Sequence, residues 1–245
     1  MNFATLKGLT IPEGNVTQIA DASGRVLWKS APAGGVVTEA GEILDTWDAI
    51  SSGNFISSYS LGNWKSFLLS DGTEVVMEVV ALNADTKTDG STAGVTWISR
   101  DIITKHVINS TASNENGWAA SEMRSWLRGD FYATLPAEVR NAIASVNKTY
   151  YDYTTKSTKS IDDNVWLPSA REIFGNTEGS GVSYTTYFNG PTIRVKKYSG
   201  TVTAWWLRSA DSNGKDSWLS VPTHGYVVGY VKPTASNGVV LGFCT

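Results

Sequence analysis

The stretch that most constrains this chain lies near its C-terminus, where Ala204-Trp205-Trp206-Leu207-Arg208-Ser209-Ala210 is followed by a polar loop and then by Trp218 to Val231. Read with a period of two, the last run places Leu219, Val221, Val227 and Val231 on one face and Ser220, Pro222, His224, Tyr226, Val228 and Tyr230 on the other. The first set suits a core and the second suits display. Tyrosine and serine favour binding surfaces, because the ring offers contact area at small entropic cost and the hydroxyl adapts. The plainer alternative is a solvent-facing strand, since alternation is the default of any half-buried sheet.

A chain of 245 residues can bury a substantial core, and 41% hydrophobic against 18% charged residues, with ten tryptophans, ten tyrosines and 23 glycines, describes a turn-rich globular protein. The net charge of −3 contains no basic block, so nucleic acid is not an expected partner. The single cysteine, Cys244, excludes an intrachain disulfide, and with His106 and His224 it gives too few soft ligands for a closed zinc site. No cofactor and no metal are expected. Nothing resembles a signal peptide or a membrane helix, which leads to the expectation of synthesis in the cytoplasm without membrane insertion. Asn-x-Ser/Thr triplets at Asn15, Asn109 and Asn147 are then chance occurrences.

Taken in order, residues 1–30 read as a small β module, with Val16 to Ala20 and Arg25 to Trp28 flanking Asp21-Ala22-Ser23-Gly24. Residues 31–37 read as a linker and 38–245 as the main domain. Asp71-Gly72 marks a hairpin between Phe67-Leu68-Leu69 and Glu74 to Val80, and Val95 to Ile98 is a further strand. Asp85 to Gly90 reads as a loop rather than a calcium site, because Lys87 stands where an oxygen ligand is needed and Thr96 where a glutamate would close it. Ala120, Met123, Leu127 and Phe131, and then Val139, Ile143 and Val146 after Pro136, predict two helices. A polar turn is expected over Tyr150 to Lys159, then a short strand at Val165 to Pro168. Ser169 should cap a short helix, Ala170 to Phe174, that Gly175 ends. The class is α+β.

Several of these segments carry a resemblance. Asn116-Gly117-Trp118, Ser121 to Leu127, Leu135-Pro136, Trp166-Leu167-Pro168-Ser169, Trp205 to Ser209 and Gly238 to Phe243, in that order, resemble bacterial and phage domains with the C-type-lectin-like fold. The variable proteins of diversity-generating retroelements, which include phage tail-tip receptor-binding proteins, are similar in character. The opening Leu9 to Thr17, continuing to Trp28, resembles a leader of prophage and phage tail proteins. The resemblance implies a C-type-lectin-like domain of mixed short strands and two helices, whose C-terminal strands and loops bind ligand and are diversified at adenine-rich codons. An AAC codon mutated in its first two bases yields Ser, Pro, His, Tyr, Val, Asp, Gly or Asn, but not Lys or Trp. Ser212, Asn213, Asp216, Ser217, Ser220, Pro222, His224, Tyr226, Val228 and Tyr230 meet that rule and form the implied variable face. Trp205, Trp206, Arg208 and Trp218 are its scaffold, with Arg208 expected to satisfy a core carboxylate or carbonyl.

The implied function is host attachment: a phage or prophage adhesin of the virion tail, binding a host-cell-surface protein or glycan. Residues 1–30 would join copies of the chain or a tail partner. The closing Val240-Leu241-Gly242-Phe243 is less polar than the family's pattern, and the calcium-dependent sugar-binding signature is missing, for which Asn189-Gly190-Pro191 is no substitute. Two alternatives stand beside this reading. A formylglycine-generating-enzyme-like catalyst would need a pair of cysteines, and a serine hydrolase would need a carboxylate to orient His224. Gly214-Lys215 lacks the earlier glycine of a phosphate loop. A structural tail protein without a ligand would leave the displayed tyrosines unexplained.

Overall fold

The computed structural model describes residues 34–175, 181–226 and 228–245, together with the backbone of two strands, β1 (Gln18–Ala20) and β2 (Val26–Lys29), which pair antiparallel. The rest of the expected N-terminal module, linker residues 31–33 and Val227 lie outside the described residues. Residues 34–37 are attached rather than free, because the Gly35 and Val36 amides donate to Asp45 Oδ2 at 2.9 and 3.1 Å.

A short helix, α1 (Trp47–Ser51), begins where Thr46 accepts from the Ala49 amide. The strands β3 (Trp64–Leu68) and β4 (Glu74–Leu82) turn through Asp71-Gly72, and β5 (Val95–Ser99) and β6 (Thr104–His106) follow. Next comes α2 (Glu122–Trp126), capped by the Ser121 hydroxyl, which runs through a π-turn at Leu127–Phe131 into α3 (Tyr132–Thr134). Pro136 then precedes α4 (Ala137–Ala142). The expected second helical stripe is cut short, since Ile143 is already extended and Val146 opens β7 (Val146–Asp152). β7 pairs residue for residue with β8 (Ser157–Asp163), so the polar turn expected over Tyr150 to Lys159 is a ribbon with only a tight turn at its tip.

The strand β9 (Val165–Trp166) leads into α5 (Ala170–Phe174), which has the predicted caps. Ser169 and Glu172 form a reciprocal capping box, and Gly175 ends the helix in the left-handed region. Then come α6 (Pro191–Arg194), the hairpin of β10 (Lys196–Tyr198) and β11 (Thr201–Thr203), and the strands β12 (Trp205–Ala210), β13 (Trp218–Val221), β14 (Gly229–Val231), β15 (Asn237–Val239) and β16 (Gly242–Cys244).

Two five-stranded sheets result, one ordered β3-β4-β5-β16-β9 and the other β14-β13-β12-β15-β6, in which only β12 and β15 run parallel. The last strand therefore closes in the interior of the first sheet, between β5 and β9. Bulges in the β4–β5 and β12–β13 pairings bend the strands, which curls the sheets over a shared core. Trp47 meets Trp97 at 5.2 Å and Phe243 at 5.8 Å between ring centroids, both edge-on, an arrangement that suits the ring quadrupoles. The architecture is mixed, mostly strands with a few short helices. Among the described residues no helix is long and apolar enough to cross a membrane.

Candidate functional site

All six residues of β12 are buried, so this strand is covered on both faces and does not alternate. Its indoles are wholly enclosed, yet each N–H has a partner: Trp205 donates to the Arg194 carbonyl (2.9 Å), Trp206 to that of His106 (2.8 Å) and Trp218, on β13, to that of Leu207 (2.8 Å). A buried indole needs such a partner, and here the partners tie β12 to α6, β6 and β13. The four expected scaffold residues lie inside the fold.

Arg208 grips Glu172 with two nitrogens, at 2.5 and 2.9 Å, and donates to the carbonyls of Thr149 and Leu167. Glu172 also accepts from Lys148 Nζ (3.1 Å), which reaches Asp85 Oδ1 (2.6 Å) and the Tyr184 hydroxyl (2.7 Å) while lying 3.6 Å from the Trp166 ring centre. Two cations thus face two anions without contact with bulk solvent. Burial alone would push the Glu172 and Asp85 carboxyls up, but Arg208 and Lys148 hold Glu172, and Lys148 holds Asp85, below the ordinary carboxylate value. Burial pushes the Tyr184 hydroxyl and the Cys244 thiol well up, away from the reactive phenolate or thiolate. A cavity of about 260 Å³ borders the cluster, lined also by Thr86, Asn147 and Val182, but the charges are spent on one another. Among the described residues no three His, Cys, Asp or Glu side chains gather as a metal site would need.

The sequence-predicted variable face divides in two. Ser212, Asn213 and Asp216 are exposed on the loop between β12 and β13, and His224, Tyr226 and Tyr230 are exposed on the β13–β14 hairpin. Tyr226 and Tyr230 retain 68% and 64% of their accessible surface, more than any other large apolar side chain among the described residues. The His224 and Tyr226 rings lie 6.0 Å apart, and His224 Nδ1 accepts from the Tyr226 amide (3.2 Å).

The other four differ from the expectation. Ser220 is buried at 1% exposure, and Ser217, Pro222 and Val228 are half-buried, with Val228 packed on the core. The reason is topological. The run from Trp218 to Val231 is not one alternating strand, because the chain reverses at Pro222–Gly225, where the Gly225 amide donates to the Pro222 carbonyl (3.0 Å). After that reversal Leu219 stands opposite Tyr230 and Ser220 opposite Gly229, so Leu219 and Tyr230 share a face. The expected assignment of Leu219 and Tyr230 to opposite faces is corrected accordingly.

Lys196 is a further buried charge. Its ammonium lies about equally far from the Phe188 and Trp205 rings and donates to the carbonyls of Ser99 (2.7 Å) and Arg100 (2.9 Å), with no carboxylate bonded to it among the described residues. Burial brings its pKa down to about 8, with Glu78 and Asp101 only partly opposing. The unfolded value is higher, so between pH 8 and 10.5 the unfolded chain binds the proton that the folded chain releases, and stability rises with pH across that window. In paired denaturant titrations the wild type should gain about 2 kcal/mol relative to Lys196→Met between roughly pH 7.5 and 10. A gap that does not change with pH would contradict this placement of Lys196.

Sequence reasoning missed Asp85, Lys148, Tyr184, Glu172 as an ion-pair partner, and Asn114. Lys148, Tyr150 and Asp152 do alternate inward along β7, but an inward period carried by lysine and aspartate is indistinguishable in sequence from an exposed one. No curated protein and no solved structure matches the chain. A family model does match residues 93–242, which spans β5 to β15, most of the charge network and both displayed segments. That is more than half of the chain, which therefore belongs to the family described as Domain of unknown function (DUF6273).

Proposed function

We propose that the chain is a ligand-binding protein, a C-type-lectin-like domain of the diversity-generating-retroelement type that presents a replaceable C-terminal face to a protein or glycan on a host cell surface. The observation that carries this reading is the exposure of Tyr226 and Tyr230 on a hairpin whose supporting strands, β12 and β13, are wholly buried. Two large rings left in solvent, that of Tyr226 beside His224, give contact area at low entropic cost. The closure of β16 inside the first sheet, with the C-terminal loops standing beyond the buried strands, supports the fold assignment. Attachment as part of a phage or prophage tail is the setting this reading favours.

Tyr226→Ala and Tyr230→Ala should each change stability by no more than about 0.5 kcal/mol, as surface substitutions do. Each should weaken binding of the labelled protein to intact host cells by about tenfold or more, the effect of losing an aromatic anchor. Unchanged cell binding by the double variant would overturn the binding role of this face.

A further inference from the structure

The two displayed segments are fastened in an unusual way. The side chain of Asn114, which is fully buried, shares its two Nδ2 hydrogens among the carbonyls of Asp211 (2.9 Å), Gly214 (2.5 Å) and Ser217 (3.1 Å), and its backbone amide donates to the Lys215 carbonyl (2.9 Å). Four carbonyls of one loop thus hang on a single residue about 100 positions earlier. The partners of Asn114 are all main-chain groups, which every amino acid supplies. The side chains of Ser212, Asn213 and Asp216 take no part, and among the described residues they form no hydrogen bond or ion pair.

The hairpin is fastened likewise. Arg194 donates to the Gly225 carbonyl (3.4 Å) and to the Phe188 carbonyl (2.8 Å), with its guanidinium over the Phe174 ring. Gly225 itself has φ +70°, and a Cβ there would stand 2.2 Å from the Pro191 carbonyl oxygen, so the turn is seated on α6 through a position that only glycine fits.

We infer that Asn114 and Arg194 are the positioning residues of the displayed face, and that they free Ser212, Asn213, Asp216, His224, Tyr226 and Tyr230 to be exchanged without loss of the fold. The remaining four residues of the expected variable set are held by a hydrogen bond or by packing. Ser217 Oγ donates to Asp211 Oδ2, Ser220 faces Gly229 with no room for a Cβ between them, Pro222 is crowded against the same glycine position, and Val228 lies on the core. The use made of this freedom rests on the ligand-binding reading, but the anchoring does not.

The test compares the full chain with three variants by hydrogen exchange and thermal melting. A sixfold alanine variant at the freed positions should keep its melting temperature to within about 3 °C and retain exchange protection at 211–217 and at the Gly225 amide, the Tyr226 amide losing its His224 acceptor. Asn114→Ala should raise exchange at 211–217 by about tenfold or more while the β7–β8 ribbon stays protected, and Arg194→Met should do the same at 222–226. If Asn114→Ala does not fold, the sixfold variant and Arg194→Met decide the matter. Loss of folding or of loop protection in the sixfold variant, or unchanged exchange in the anchor variants, overturns the inference. A sixfold variant that is folded, protected and still binds host cells leaves the anchoring intact and overturns the binding reading instead.

Discussion

Arg208→Met is expected to destabilise the fold by about 3–5 kcal/mol, the cost of removing one partner from a buried ion pair. The variant keeps much of the side-chain volume but leaves Glu172 with Lys148 as its only cationic partner among the described residues. It also strips a donor from the Thr149 and Leu167 carbonyls. The loss should spread to α5, because Glu172 Oε2 accepts both from Arg208 and from the Ser169 amide (2.8 Å) that closes the helix cap. Adding Glu172→Gln to Arg208→Met should recover part of the loss, since it removes the charge left without its guanidinium. Urea unfolding of the two variants measures both effects. A loss below about 1 kcal/mol for Arg208→Met would show that the buried charge cluster does not support the fold.

Trp206→Ala is the second large effect, on the order of 3–5 kcal/mol, the usual cost of deleting a buried aromatic side chain. The indole is completely enclosed, and its N–H is bonded to the His106 carbonyl, in the strand whose His106 ring stacks on Trp126 at 4.5 Å. The deletion therefore opens a cavity and unties β12 from β6 together. The comparison with Tyr226→Ala is informative, because one change removes a buried ring from β12 and the other an exposed ring from the β13–β14 loop of the same sheet. A melting temperature near that of wild type for Trp206→Ala, measured by calorimetry, would mean that the buried and displayed roles of these strands have been exchanged.

What could be read in the sequence was local. Ser169, Glu172 and Gly175 fix a five-residue helix because a capping box and a left-handed glycine act within a few residues, and Asp71-Gly72 fixes its hairpin for the same reason. Pro136 marked the start of α4, whereas its end at Ile143 was not legible, since apolar spacing carries on smoothly from a helix into the strand at Val146. The site was half legible. The alternation from Trp218 to Val231 identified His224, Tyr226 and Tyr230 as exposed but misplaced Ser220, although Pro222 and Gly225 stood in the run as signals of a turn. The charge network was not legible, because Asp85, Lys148, Glu172 and Arg208 meet only through tertiary structure. For the same reason nothing around Asn114 announces four carbonyls supplied from residues 211–217.

The central claim, a replaceable face on a fixed base, is tested most directly by deep sequencing of the 3′ end of this gene across many cells or virions from one source. The account predicts substitutions concentrated at Ser212, Asn213, Asp216, His224, Tyr226 and Tyr230 and traceable to adenines, with Arg194, Arg208, Ser220 and Gly225 unchanged. A uniform 3′ end, or changes spread equally over Trp206, Ser220 and Gly225, would contradict it.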